Sequence, residues 1–270
     1  MQSIAPLWYN DYSVFAWMGV FSETGASVWP GLLGDPARLE LDGTGQKVTV
    51  GTLFDGWNGT YPHPAYSTGI SATPVDATPA TAQQLVGTSA TTRGNVLMLL
   101  AIDGALYCNA PQTTNGVTFR RSVGGVFADG VEARAATVHA GSTAAPNIYI
   151  NGSNVNNTSG SVTDVGGATP GATVWLGDAG FTFTPFEGGI RCYWWIDVEL
   201  SGAQIASLDA LIAAEDHTGA AAFLLGLSAN AVYLPFLTSD NGADGGSIYD
   251  LNGNQNGTPS GTVAADLVPV

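Results

Sequence analysis

Hydrophobic and polar residues alternate most regularly between residues 189 and 200. Every second residue of this stretch is apolar, and these residues are Ile190, Cys192, Trp194, Ile196, Val198 and Leu200. The residues between them form the other face, and they are Arg191, Tyr193, Trp195, Asp197 and Glu199. Because successive side chains of a strand point to opposite faces, this period of two predicts a β-strand with one face in a core and a wetter second face. We therefore expect Trp194 in the core and Trp195 on the opposite face.

A short amphipathic helix is predicted directly after this strand. Ser201 and Gln204 have the spacing of the N-cap and N3 positions of a capping box. Apolar residues then recur at helical spacing, at Ile205, Leu208, Leu211 and Ile212. The pattern ends near Gly219, which is a typical residue for a helix C-terminus.

Further strands are predicted at residues 12–21, 39–43, 47–50, 95–102, 105–108 and 117–121. Asp103-Gly104 is a strong two-residue turn signal and predicts that the strands on either side of it form a hairpin. A Gly-rich turn between 39–43 and 47–50 predicts a second hairpin. Residues 51–92 are rich in Pro, Thr and Ala, and their length favours an irregular loop insertion.

Four segments, taken in chain order, resemble motifs of the laminin-G and concanavalin A-like superfamily. Residues 135–143 are similar to one of its strands and the turn that follows, and residues 147–152 (Asn-Ile-Tyr-Ile-Asn-Gly) are similar to a hairpin. Residues 174–178 resemble another strand, and residues 186–205 resemble the closing strand with the start of its helix. The resemblance is best over residues 133–214. It implies an all-β fold, namely a concanavalin A-like jelly-roll β-sandwich with one short helix after a long strand.

The resemblance also implies a division of the chain. Residues 1–218 are expected to form the lectin-like sandwich, with 51–92 as a long loop insertion. Residues 219–270 are expected to form a C-terminal extension, and part of it (residues 232–258) resembles a segment that opens the domain in many members. The extension therefore completes the sandwich or permutes its order, and permutation is feasible because chain termini of domains often lie close together.

Composition and charge exclude several classes of partner. The 270-residue chain has 36 glycines, only 11% charged residues and a net charge of −15. A nucleic-acid-binding protein needs a basic surface, and an anionic membrane also attracts basic residues, so neither partner is expected. No apolar run approaches the length of a membrane span, and the first residues lack the basic and apolar regions of a signal peptide.

Cys108 and Cys192 are the two cysteines. Two cysteines are too few for a disulfide framework, and Cys192 lies on the apolar parity of its strand. Buried free thiols are therefore expected, with a bridge between the two residues as the alternative.

Catalysis is not expected. Concanavalin-like glycosidases of the laminarinase type carry Glu-x-Asp-x-Glu on one strand, and here Asp197 and Glu199 match the last two carboxylates. Trp195 stands where the first Glu, the nucleophile, is needed. The three histidines lie in dissimilar contexts and match no catalytic motif.

A calcium site is one interpretation of the C-terminal segment. Asp250, Asn252 and Asn254 place oxygen ligands at alternate positions, as a calcium loop does. Gln255 stands where an EF-hand needs Gly, and Gly261 stands where it needs Glu. The alternative is an Asn/Gly turn stabilised by its own side chains. No other cofactor is predicted.

The loop between Asp55 and Tyr66 is the predicted binding site. Trp57, Tyr61 and Tyr66 lie among Gly, Pro and Asn without the periodicity of a core element. Aromatic rings stack on sugars, and Asp55 and Asn58 could hydrogen-bond sugar hydroxyls. Two alternatives remain, namely that the rings cover the sandwich as a lid, or that they contact a protein neighbour.

The functional prediction is a non-enzymatic, lectin-like structural or decoration protein on an assembly such as a virus particle, with surface glycans as a further partner. The chain would then work on a virion or cell surface although it carries no recognisable signal peptide. A stand-alone glycan-binding adhesion module is the alternative, and a glycoside hydrolase is a third class that the missing carboxylate disfavours.

Overall fold

The computed structural model describes residues 34–54, 63–88, 96–113, 116–163, 173–178, 183–262 and 266–270. Two sheets face each other and enclose a hydrophobic core, as expected for an all-β jelly-roll sandwich. Their strands pair antiparallel except for one short parallel contact between β13 and β4. The strand predicted at residues 12–21 lies outside the described residues.

The strands are numbered in chain order. They are β1 (Ala37–Asp42), β2 (Lys47–Val50), β3 (Tyr66–Pro74), β4 (Gln83–Thr88), β5 (Val96–Leu100), β6 (Leu106–Thr113), β7 (Gly116–Ser122), β8 (Ala133–His139), β9 (Asn147–Ile150), β10 (Ser153–Asn154), β11 (Asn156–Thr163), β12 (Val174–Leu176), β13 (Thr184–Pro185), β14 (Glu187–Ile196), β15 (Val232–Pro235), β16 (Gly257–Ser260) and β17 (Leu267–Pro269). The helices are α1 (Gly202–Ala213) and α2 (His217–Leu225).

The smaller sheet has the order β10-β9-β8-β3-β14-β1-β17, and β15 also pairs with β14. The larger sheet has the order β11-β7-β6-β5-β4-β12-β2-β16, with β13 beside β4. The last 50 residues add strands to both sheets, because β15 pairs with β14, β16 with β2 and β17 with β1.

Strand β14 is buried on both of its faces. Its register against β3 shifts between Ile190 and Cys192, which marks a β-bulge at that point. After the bulge, Tyr193 and Trp195 point into the core between the sheets, whereas Cys192, Trp194 and Ile196 lie in a second apolar cluster outside the smaller sheet. The prediction of one core face and one wetter face is therefore wrong.

The two tryptophans point to opposite faces, as predicted, yet both are buried, with 4% of Trp194 and 5% of Trp195 exposed. The reason is that the outer face of the smaller sheet is covered by helices. The strand also ends earlier than predicted, at Ile196 rather than Leu200.

Two helices cover that outer face, where the sequence predicted one. The capping box of α1 is confirmed, because the Ser201 hydroxyl accepts from the Gln204 N–H and the Gln204 side chain accepts from the Ser201 N–H. Helix α1 ends at Ala213, and α2 starts at His217 after a short connection. Both helices place apolar residues against Trp194 and its neighbours, and these are Ile205, Leu208, Ile212, Ala220, Ala221 and Leu224. Neither described helix is long and apolar enough to span a membrane.

Arg191 at the bulge ties the end of α1 to the sheet. Its guanidinium lies 3.0 Å from Glu132 and 2.9 Å from Glu215, and it donates to the Ile212 carbonyl at 3.2 Å. Glu215 has a left-handed φ of 58°, which costs energy for a residue with a side chain. The ion pair with Arg191 helps to offset that strain. A second pair, Arg134 with Asp209, joins β8 to α1 at 2.8 Å.

Two sequence predictions for residues 39–92 are wrong. Strands β1 and β2 belong to different sheets, so the Gly-rich turn between them crosses the sandwich and does not close a hairpin. Residues 66–74 and 83–88 are strands and not part of an irregular insertion, and β3 lies next to β14 in the smaller sheet. Polar composition concealed β3 in the sequence. Two of its buried hydroxyls bond to main-chain groups, with Ser67 donating to the Val198 carbonyl at 2.9 Å and Thr68 to the Trp194 carbonyl at 2.9 Å.

Other predictions are confirmed. Strands β5 and β6 form the hairpin around Asp103-Gly104, and β9 and β10 form the hairpin around Asn151-Gly152. Cys108 and Cys192 are free and buried, and they lie in the two different apolar clusters on opposite sides of the smaller sheet. The alternative of a disulfide between them is therefore wrong.

Replacing Trp194 tests the second apolar cluster. A Cβ at Gly69 would lie 2.4 Å from the Trp194 indole, so the ring lies directly on the backbone of β3. We expect Trp194→Ala to lower the free energy of unfolding by roughly 3–5 kcal/mol, measured by urea denaturation. Tyr249→Ala is the control, because Tyr249 is 56% exposed and its loss should change little. Equal effects of the two substitutions would contradict the assignment.

Candidate functional site

Tyr66 is the one predicted binding residue of the loop between Asp55 and Tyr66 that the structure describes. Asp55, Trp57, Asn58 and Tyr61 lie outside the described residues, so their role in binding stays a prediction. Tyr66 begins β3 and is 2% exposed. Its ring stacks on His139 with centroids 4.0 Å apart and meets Phe54 edge-on. Tyr66 therefore takes the alternative role, in which the ring packs into the core.

Two histidines accompany Tyr66 at this end of the sandwich. His63 and His139 are each 5% exposed. Burial lowers the pKa of His63 to about 4, and burial together with the nearby His63 lowers the pKa of His139 to about 3. Both rings are therefore neutral at ordinary pH.

The carboxylate of Asp250, in the predicted calcium segment, accepts hydrogen bonds from four backbone N–H groups. One carboxylate oxygen accepts from the N–H groups of Tyr233 and Asn252, at 2.8 and 3.0 Å. The other oxygen accepts from the N–H groups of Asn254 and Gln255, at 2.8 and 2.9 Å. Asp250 thus holds the Asn/Gly turn against β15, which was the alternative interpretation. Within the described ranges, no group of three or more His, Cys, Asp or Glu residues could hold a metal, and calcium binding here stays a prediction.

The two carboxylates that resemble those of glycosidases lie beyond the end of β14. Asp197 accepts a hydrogen bond from the Asn230 side chain at 2.7 Å, and Glu199 is exposed. Trp195, at the position of the missing nucleophile, points into the core. These residues therefore do not share one strand face.

Half-buried aromatic rings lie on the outer face of the larger sheet. Strand β6 alternates, with Leu106 and Cys108 in the core and Tyr107 on the outer face. Phe119 on the neighbouring β7 stacks against Tyr107, with ring centroids 5.3 Å apart and planes 22° apart. Gly160 on edge strand β11 lies opposite Phe119. We name Tyr107, Phe119 and Gly160 the aromatic platform.

Gly160 is what lets the Phe119 ring lie over the edge strand. A Cβ at this glycine would come within 2.8 Å of two Phe119 ring carbons. Thr158, two residues before the glycine, is exposed and lies on the same face, whereas Ser159 and Ser161 point to the opposite face. The platform therefore combines an apolar ring with the Thr158 hydroxyl at its edge.

A charged pair borders the platform. Arg121 lies opposite Tyr107 in the β6–β7 register, and its guanidinium bonds to the Asp103 carboxylate. The hydrogen bond from Arg121 lowers the pKa of Asp103, so this carboxylate is ionised at neutral pH. Both side chains are partly exposed, at 34% and 45%. Aromatic rings next to charged hydrogen-bonding groups suit ligands that have apolar C–H faces and several hydroxyls.

A second aromatic residue on this outer face is less suited to stacking. The Lys47 ammonium lies 4.1 Å from the centre of the Trp175 ring and 2.8 Å from an Asp178 carboxylate oxygen. A cation over the ring takes part of the surface that a ligand would use. Trp175 is therefore a weaker candidate than the platform.

Sequence reasoning missed the aromatic platform. The alternation of residues 106–110 is present in the sequence, and the strands were predicted. Which parity faces outward depends on how the two sheets pack, and the pairing of Phe119 with Gly160 depends on the β7–β11 register.

The comparisons with known proteins show a similarity in fold. No protein-family model matches the sequence, and the comparison with curated proteins finds no match. A protein from Bacteroides ovatus, assigned provisionally as carbohydrate-binding, superposes with a TM-score of 0.54 at 16% identity, over 85% of this chain and 59% of its own. This chain thus spans well under two thirds of that protein's length.

Two further structures superpose with lower scores. The CBM40 of a Ruminococcus gnavus sialidase, bound to sialyllactose, gives a TM-score of 0.38 at 13% identity, over 64% of this chain and 96% of its own. Domains LG4-5 of the mouse laminin α1 chain give 0.41 at 12% identity, over 61% and 41%. The likeness to the Bacteroides ovatus protein, at 16% identity, supports the β-sandwich fold that the sequence motifs indicated.

Burial of His139 predicts acid sensitivity. The unfolded chain protonates this residue near pH 6.5, whereas the folded chain does so only near pH 3. Since the unfolded chain binds more protons between these values, the free energy of unfolding falls as the pH falls, by about 2 kcal/mol for this residue between pH 7.5 and 5. We expect His139→Phe, which keeps a ring against Tyr66, to lose that part of the dependence.

Urea denaturation of both proteins at the two pH values measures this difference. Other titrating groups cancel in the comparison, including Asp240, whose pKa burial raises to about 6 and whose effect has the opposite sign. Identical pH dependence in the two proteins would contradict a neutral, buried His139.

Proposed function

We propose that this chain is a non-catalytic, lectin-like domain that binds glycans at the aromatic platform. The observation that carries the proposal is the stacked Tyr107–Phe119 pair over Gly160, bordered by Arg121 and Asp103. Sugar rings present flat C–H faces that pack on aromatic rings, and their hydroxyls pair with charged groups that both donate and accept.

The similarity to the Bacteroides ovatus protein supports the fold on which this site is built. Unrelated functions occur on this fold, so the argument for glycan binding depends on the platform residues. The location of the platform also fits the layering of the molecule. The described helices occupy the outer face of the smaller sheet, so a ligand that binds a sheet face would use the larger sheet.

The absence of catalysis is part of the proposal. A retaining glycosidase needs two carboxyl groups about 5 Å apart across the scissile bond. Here Trp195 is in the core, and Asp197 is bonded to Asn230. Sustained release of reducing ends from β-glucans that disappears in Glu199→Gln would contradict this part.

Glycan binding is tested with platform variants. We expect Phe119→Ala and Tyr107→Ala to lose about 30-fold or more in affinity on a glycan array and in calorimetry, because truncated aromatic anchors typically cost about 2 kcal/mol or more. Gly160→Val should act similarly, since its side chain displaces the Phe119 ring. Tyr249→Ala, which removes an exposed ring elsewhere, is the control. Folded platform variants that bind normally would overturn the proposal.

A role on an assembly such as a virus particle, at a virion or cell surface, stays a prediction, with the adhesion module as its alternative. One observation favours protein neighbours. Four exposed apolar residues, Val75, Ile102, Val123 and Val131, lie in or beside turns at one end of the sandwich, and backbone hydrogen bonds join these turns. Size measurement of the isolated chain, with Ile102→Ser as the comparison, tests for self-association there. If the unchanged chain and the Ile102→Ser variant are both monomers, self-association through this end of the sandwich is contradicted.

A further inference from the structure

A small pocket lies at the end of the sandwich where β3 begins and β8 ends. Its lining residues come from three places in the chain, and they are His63, Pro64, Tyr66, Ala110, His139 and the turn 140–144. Gly141 in this turn has a left-handed φ of 64°, and a Cβ there would lie 2.8 Å from the Ala65 nitrogen. The turn therefore packs tightly on the start of β3, which gives the pocket a defined wall.

His139 is buried in this wall without a hydrogen bond. It is 5% exposed, and neither of its ring nitrogens has a partner among the described residues. Its orientation is set, because the ring stacks on Tyr66 at 4.0 Å with planes 10° apart. Leaving a buried donor or acceptor unpaired costs about 1–3 kcal/mol, so such groups are nearly always satisfied in folded proteins. The ring thus requires one group that accepts and one that donates.

The residues that line the pocket indicate which chemical group of a ligand it can bind. A neutral imidazole has one N–H donor and one nitrogen acceptor, and a hydroxyl group can pair with whichever of the two nitrogens faces it, because it both donates and accepts. The described lining residues include no Lys, Arg, Asp or Glu, so nothing there neutralises a charged ligand. Pro64, Ala110, Ala140 and Ala144 provide apolar walls for C–H groups. The space admits a group about the size of a water molecule, which matches one hydroxyl and not a whole sugar ring.

We infer that this histidine pocket binds a hydroxyl group of an uncharged polyol or neutral sugar, with His139 as the residue that recognises it. A metal ion fits less well. Imidazole ligands of metals almost always donate their second nitrogen to a neighbouring group, and the second nitrogen of His139 has no such neighbour.

This site is separate from the aromatic platform. On β6, Ala110 points to the opposite face from Tyr107 and Asn109. Ala110 lines the pocket, so the pocket lies on the inner side of the larger sheet. Tyr107 belongs to the platform, which lies on the outer side of that sheet. The two proposals can therefore fail independently.

The test uses the full chain with labelled histidines. Glycerol, myo-inositol and methyl glucoside are titrated at pH 7, with acetate as the charged probe whose single polar group is a carboxylate, and the imidazole ¹⁵N signals are followed by NMR. We expect at least one neutral probe to shift the His139 signals and to saturate, and we expect acetate to bind at least about 10-fold more weakly because its carboxylate would be desolvated without a cation.

His139→Phe is the matched variant, because it keeps a ring against Tyr66 and removes both nitrogens. It should lose at least about 10-fold in affinity for the neutral probe while its unfolding curve at pH 7 remains cooperative. Tyr249→Ala, which removes an exposed ring outside both sites, should leave the titration of the His139 signals unchanged. Neutral probes that leave the His139 signals unchanged, or that bind His139→Phe equally well, would overturn the inference. It would also fail if Zn²⁺ alone shifted these signals, or if crystals soaked in the probes showed only water in the pocket.

Discussion

The burial of both faces of β14 is the constraint on which the rest of the structure depends. A sheet in a sandwich normally has one face in the core and one in water. Here Cys192, Trp194 and Ile196 make the outer face of the smaller sheet apolar, so it needs a cover. Helices α1 and α2 provide that cover, and Arg191 at the bulge binds Glu132, Glu215 and a helix carbonyl at the same time.

The polar residues of β3 make this arrangement possible. A strand between β14 and β8 in a sheet with two covered faces would ordinarily be rich in Val and Ile, whereas β3 contains Ser67, Thr68 and Gly69. The hydroxyls of Ser67 and Thr68 bond to main-chain carbonyls of the segment that leads into α1, so burying them leaves nothing unpaired. Gly69 leaves room for the Trp194 indole. Small and polar residues are thus the structural requirement for a large ring on the neighbouring strand.

The sequence predicted local features well and long-range features poorly. Period two identified β14, the capping pattern identified the start of α1, and Asp103-Gly104 identified a hairpin, because each depends on neighbours in the chain. The bulge at Arg191 was not predictable from alternation alone, and it reversed the face assigned to Tyr193 and Trp195. The pairing of β1 and β2 with distant strands, and the strand character of 66–74, also depend on contacts far apart in sequence. Tyr66, one of the predicted site residues, proved to be a core residue, and this too depends on contacts with residues far away in the sequence.

The cover on the smaller sheet has a consequence for function. With one outer face occupied by helices, the groups available for binding are those of the larger sheet and of the sandwich ends. On the larger sheet, Gly160 on the edge strand leaves the space that the Phe119 ring occupies. At the sandwich end, a neutral His139 is held against Tyr66 with its nitrogens unpaired, an arrangement that lowers stability in acid. Burying an unpaired imidazole costs folding energy that a purely structural sandwich would not need, and this is the physical reason for assigning ligand binding to that pocket.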